Sequence, residues 1–89
     1  MKKIGINRAI ADQYGLTQPE AVVLDYLVQR SEFCSWFSFF YMEMDLAFLS
    51  ENQEYFKRKV RSLRAKGVIS YTKTNAFEYP FSLTFVGRW

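Results

Sequence analysis

At 89 residues, with 24% charged and 19% aromatic side chains, the sequence has the material for one small domain of modest core and excludes an intrinsically disordered chain. One cysteine, Cys34, and no histidine exclude an intrachain disulfide framework, most metal sites and every histidine-based acid–base or triad mechanism. The net charge of +3 hides a segregation: residues 1–54 hold four basic and eight acidic side chains, whereas residues 55–77 hold seven basic and no acidic ones.

That block is the electrostatic footprint of a polyanion partner, or else a solvated helix face. No apolar run is long enough for a signal-peptide core or a membrane span. The aromatic run Trp36 to Met42 is too short and is interrupted by Ser38. Cytosolic residence without membrane contact is therefore the expectation.

In chain order, Asn7 is placed to cap a short helix through Gln13, with Ile6, Ile10 and Tyr14 on one side and Gly15 as a left-handed stop. Thr17 and Glu20 have capping-box spacing, and Pro19 stands in the first turn, where its missing N–H does no harm. A second helix should run from there to about Ser31. Ala21, Leu24, Leu27 and Val28 face inward at helical spacing, and Asp25, Gln29 and Arg30 face outward. Trp36 to Met42 is dense in aromatics and reads as a strand.

Glu43 to Leu49 reads as a short helix with Leu46, Ala47 and Leu49 as core contacts. Ser50 is a candidate N-cap and Gly67 a stop for a longer basic helix, roughly Glu51 to Lys66. Val68 to Lys73 is β-rich. Phe81, Leu83 and Phe85 alternate with Ser82, Thr84 and Val86 as in a half-buried strand, and Thr74 to Pro80 joins the two as a hairpin loop. A short helix, a tight turn, a longer basic helix and a hairpin define a winged helix-turn-helix. The expected class is α+β: three to four helices, a small antiparallel sheet and a β-hairpin wing, spanning residues 1–89 as a single domain.

At about 3.6 residues per turn, Phe56, Val60, Leu63 and Gly67 form one stripe of the basic helix, which must face the core. The opposite ridge holds Glu54, Tyr55, Arg58, Arg61, Ser62 and Ala65. Lys57 and Arg64 flank it on one side, Lys59 and Lys66 on the other. Cations on both flanks of an exposed ridge suit a helix in a major groove with phosphates on either side. Lysine stems covering apolar neighbours are the competing reading.

The base-proximal candidates are Asn52, Gln53, Tyr55, Arg58, Arg61 and Ser62, since Asn or Gln can read adenine and Arg guanine. The phosphate candidates are Lys57, Lys59, Arg64, Lys66, Lys73 and Asn75. Glu51 and Glu54 suit the positive end of the helix dipole but oppose nearby phosphates, and Glu54 is spaced to pair with Arg58. Trp36, Phe77, Tyr79 and Trp89 are candidates for an interface with a second copy or a protein partner, because a three-stranded sheet buries one face well and this chain has aromatics to spare.

Leu63-Arg64-Ala65-Lys66-Gly67-Val68-Ile69 looks like the Leu-x-x-x-Gly-x-Ile signature that ends the recognition helix and opens the wing of winged-helix regulators. Phe56 and Val60 stand at the two preceding core positions of that pattern. Ile6-Asn7-Arg8-Ala9-Ile10-Ala11, then Gly15-Leu16-Thr17 and Glu20-Ala21-Val22-Val23-Leu24, is similar to the opening of phage and plasmid replication-initiator winged-helix domains. The resemblance implies DNA binding, with Tyr55, Arg58 and Arg61 in recognition-helix positions. Glu51 and Glu54 depart from it, standing where such domains often carry Ser, Thr or Lys. The chain also ends soon after the wing, so no further replication or effector domain is expected.

The expected function is a small double-stranded DNA-binding protein, sequence-specific or not, of the transcription-regulator or replication-accessory kind, with no small-molecule cofactor and no metal. The alternative is a winged-helix protein–protein interaction module. Catalysis is not expected: Glu43, Asp45 and Glu51 form no pair flanked by a pocket-forming motif, no glycine-rich phosphate loop is present, and Cys34 has no histidine to activate it.

Overall fold

Two left-handed glycines and three side-chain caps set most of the helix boundaries. The computed structural model describes residues 8–74 and 77–84. The proposed cap Asn7, its neighbour Ile6, and Phe85 and Val86 lie outside the described residues. Helix α1 spans Arg8–Tyr14 and α2 spans Gln18–Ser31. Between them Gly15 takes φ +66°. Its N–H reaches Asp12 O and that of Leu16 reaches Ala11 O, the paired bonds of a Schellman stop. Thr17 caps α2 in a complete capping box with Glu20. Asp25, expected on the outer face of α2, is instead buried and accepts a bond from Gln29.

The segment read as one aromatic strand divides in two. Strand β1 is only Trp36–Phe37, and helix α3 runs Phe39–Asp45. Ser38, in extended conformation, accepts a hydrogen bond from the Phe40 N–H and so starts the helix. Helical winding puts Phe39 and Met42 into the core, with Leu46 one turn further on. A strand would have alternated the aromatics across two faces; burial of this i, i+3, i+7 set overrides β-propensity. The short helix expected over Glu43 to Leu49 thus starts earlier and ends at Asp45, and a 3-10 turn follows at Ala47–Leu49. Ala47 is exposed rather than a core contact.

Ser50 adopts φ 54°, and the N-cap of helix α4, Gln53–Ala65, is Asn52, whose Oδ1 accepts from the Tyr55 N–H at 3.0 Å. Gly67, at φ +83°, ends α4 with a second Schellman pair, Gly67 N–H to Arg64 O and Val68 N–H to Leu63 O. Strands β2, Ile69–Tyr71, and β3, Tyr79–Leu83, form the hairpin. The sheet order is β1-β3-β2, antiparallel throughout, with Ile69 opposite Leu83, Tyr71 opposite Phe81 and Phe37 opposite Tyr79.

Pro80 is tolerated in the middle strand because its carbonyl still accepts the Thr72 N–H at 2.9 Å, and the N–H it lacks would face Thr72, one residue past the end of β2 at Tyr71.

Among the described residues, four α-helices and a three-stranded antiparallel sheet make an α+β fold in line with a winged-helix layout. The core joins Val23, Leu24 and Leu27 of α2 to Phe56, Val60 and Leu63 of α4, with Phe37, Met42, Leu46, Val68 and Ile69 closing it. Burying each such side chain contributes roughly 1.5–3 kcal/mol. Of the expected inward stripe of the basic helix, Phe56, Val60 and Leu63 are buried, whereas Gly67 lies past the end of α4 and is exposed. No helix among the described residues is long and apolar enough to cross a membrane.

Candidate nucleic-acid interface

Once Phe56, Val60 and Leu63 anchor α4, its remaining circumference divides into three strips, each facing something different. Glu54, Lys57, Arg61 and Arg64 face the hairpin. With Phe39, Tyr71, Lys73 and Tyr79 they line a groove of about 460 Å³. Four cations against one carboxylate make this groove strongly positive. The Arg64 guanidinium lies 4.7 Å over the Tyr71 ring, and the Lys57 ammonium lies 5.9 Å from the Phe39 ring. These cation–π contacts seat the charged ends of Arg64 and Lys57 against the aromatic wall of the groove. Arg61 pairs with Glu54 at 3.6 Å, both side chains being more than half exposed. Such a solvent-exposed pair contributes little to stability. The partner of Glu54 is thus Arg61, not Arg58 as the spacing suggested.

The second strip faces α2 and is committed to the fold. Ser62 Oγ donates to Glu20 Oε2, and Lys66 Nζ donates to Glu20 Oε1 at 2.6 Å and to Gly15 O at 2.8 Å. Glu20 is 3% exposed. Burial pushes its carboxyl pKa up, but the Lys66, Ser62 and Thr17 hydrogen bonds outweigh burial and hold it at about 2. Ser62 and Lys66, expected at bases and at phosphate, therefore have an intramolecular task. Helix α4 rests its Ser62 and Lys66 flank on α2, so the ridge exposed to solvent is narrower than the sequence suggested.

The third strip is the outer ridge, where Arg58 and Ala65 are exposed. Lys59 lies 5.1 Å over Tyr55, which is itself half-buried against the core and 5.5 Å from Phe56. Burial raises the Tyr55 pKa, with Glu51 adding to the effect and Arg58 opposing it. Asn52 is occupied as the α4 cap, and Gln53 opens with Lys57 onto an adjoining groove.

The hairpin brings Lys73 to the positive groove, and Thr74 Oγ1 bonds Glu78 O at 2.6 Å to draw the loop closed. Asn75 lies outside the described residues.

Of the interface candidates, Trp36 is half-buried beneath the Arg30 guanidinium at 4.5 Å, and Arg30 Nε also donates to the Trp36 carbonyl. Tyr79 stacks on Phe37 at 5.4 Å within a cluster shared with Phe39 and Tyr71. Both are thus used at least partly within the fold. Phe77 is 82% exposed, and Trp89 lies outside the described residues.

Sequence reasoning missed Tyr71 and Phe39 as platforms for Arg64 and Lys57, though cations interleaved with aromatics were visible in the chain. It also missed the Glu20–Lys66 pair, whose members stand 46 residues apart and carry no local signal. Asp45, noted only as an isolated carboxylate, accepts a 2.9 Å bond from Tyr26 and ties α3 to α2. Burial, then Asp45, raises the Tyr26 pKa.

The fold and this groove define a class of molecule, a small α+β chain with a basic helix beside a hairpin. Compared with protein-family models, with curated proteins and with solved structures, the chain matches none.

Proposed function

We propose that the chain binds double-stranded DNA, with α4 in a major groove and the hairpin against the adjoining backbone. The observation that carries this reading is the convergence of Lys57, Arg61 and Arg64 of α4 with Lys73 of the hairpin on one groove. A surface that gathers cations from two separate elements suits a continuous line of phosphates better than it suits a solvated face. Lys57, Arg64 and Lys73 contact phosphate, with Lys59 on the far flank. Arg58 and Arg61 approach base edges, and Gln53 stands at the leading end of the helix. Arg61 exchanges Glu54 for its nucleic-acid partner on binding. The resemblance to initiator and regulator domains favours a task in replication or transcription control.

The test is retention of pooled random duplex at two salt concentrations. Affinity should fall with a log–log slope of about −3 to −4 for four phosphate contacts. Absence of binding at low salt, together with no effect of Arg58→Ala and Arg61→Ala, overturns the reading.

A second reading, association with a protein or a second copy, is favoured by the exposure of Phe33, Tyr41, Met44 and Phe48. A concentration-dependent mass in light scattering, without DNA binding, would select it.

A further inference from the structure

A second groove opens beside the cationic one, with opposite character. Phe40 and Tyr41 of α3, Gln53 and Lys57 of α4, and Phe77 and Tyr79 of the hairpin line a cleft of about 510 Å³. Phe39, Lys57 and Tyr79 line both grooves, so the two are continuous. The rings in the cleft are left open to solvent: Phe40 is 54% exposed, Tyr41 45% and Phe77 82%. Core packing does not account for them, since Phe37, Phe39 and Met42 already fill the interior from the same segment.

The cleft volume lies within the roughly 300–1,000 Å³ of small-ligand pockets. Its chemistry is specific: flat π-faces, one carboxamide with both donor and acceptor atoms, and one ammonium at the junction with the positive groove. A nucleobase presents the complementary set, a π-face for stacking, an edge for the amide and a phosphate for the cation. A purely apolar partner would leave Lys57 and Gln53 without polar partners. The cationic groove joined to the cleft also supplies charge complementarity to a polyanion.

We infer that the aromatic cleft between α3, the start of α4 and the hairpin holds an unpaired nucleobase of a DNA strand whose phosphates follow the cationic groove. The inference rests on the DNA-binding reading and adds to it a preference for bulged, frayed or opened duplex. Lys57 is the shared residue, contacting the phosphate next to the extruded base.

Fluorescence anisotropy of the full chain tests this with one labelled sequence in three forms: fully paired, paired with a short bulge, and single-stranded. The bulged form should bind more tightly than the paired one, and the single-stranded form, which lacks the major groove that α4 enters, more weakly than the bulged one. Phe40→Ala and Phe77→Ala should each weaken bulge binding about tenfold and leave paired-duplex binding within about twofold. Both rings are largely exposed, so the variants keep the fold, which circular dichroism verifies. As a second measurement, a 5-iodouracil placed in the bulge should photo-crosslink to Phe40, Tyr41 or Phe77.

If paired and bulged duplex bind equally, with no response to either variant, the base site is overturned and the DNA reading stands. If no DNA form binds, both are overturned. If the chain dimerises, Phe40→Ala dissolves the dimer and DNA affinity does not move, the cleft belongs to a second copy and the inference is overturned.

Discussion

Glu20 serves three partners with one carboxylate: the Thr17 N–H at 2.8 Å, the Lys66 ammonium at 2.6 Å and the Ser62 hydroxyl. Its pKa of about 2 in the folded chain lies below the ordinary 4.5. The carboxylate therefore stabilises the fold fully above about pH 4.5, and that contribution is lost as pH falls toward 2. Glu20→Gln should lower stability at pH 7 by about 2–3 kcal/mol in urea titration and flatten the stability loss between those pH values. Lys66→Ala should also destabilise, because it leaves a buried carboxylate without its cation. Asn52 makes the same point more gently. As the cap of α4, its replacement by alanine should cost about 1 kcal/mol in thermal unfolding, and the serine two residues earlier should show no comparable effect.

The boundaries of α4 were half legible. Its stop at Gly67 follows from a left-handed requirement that only glycine meets without strain. Its start was misplaced by two residues, because Ser50 and Asn52 are both competent caps and only the local path of the chain chooses between them. A Cβ added at Gly67 would meet open space, so Gly67→Ala meets no clash and should cost only the backbone term, about 1–2 kcal/mol by calorimetry. Helix α3 departs from the strand expected there for a different reason. Phe and Tyr favour strands on average, yet Phe39, Met42 and Leu46 recur at helical spacing behind a serine cap, and the depth of the core rewards that winding.

Across the molecule, the packing of α4 on α2 turns the helix so that Lys57 and Arg64 on one flank meet the hairpin, while Lys66 on the other meets Glu20. The two flanks look equivalent in sequence and should behave differently in solution. Arg64→Ala and Lys73→Ala should each weaken duplex binding and reduce the salt slope by about 1, with little effect on stability. Lys66→Ala should leave the salt slope unchanged and lower the melting temperature. Filter binding across a salt series, paired with thermal melts of the same variants, checks both halves of this contrast.

The sequence by itself determined the element order downstream of Ser50, both glycine stops, the capping box, the buried face of the basic helix and the segregation of charge. The stops, the capping box and the buried face are local properties, written within a few turns of helix, and the charge segregation is a property of composition alone. Only the tertiary structure decided which cations are free to meet a partner, because that depends on what the rest of the fold places opposite each strip of α4. Glu20 takes Lys66 and Ser62 from the outer surface, and the hairpin adds Lys73 to Lys57, Arg61 and Arg64. The aromatic cleft arose the same way, from a helix where a strand was expected, which turned Phe40 and Tyr41 outward beside Lys57.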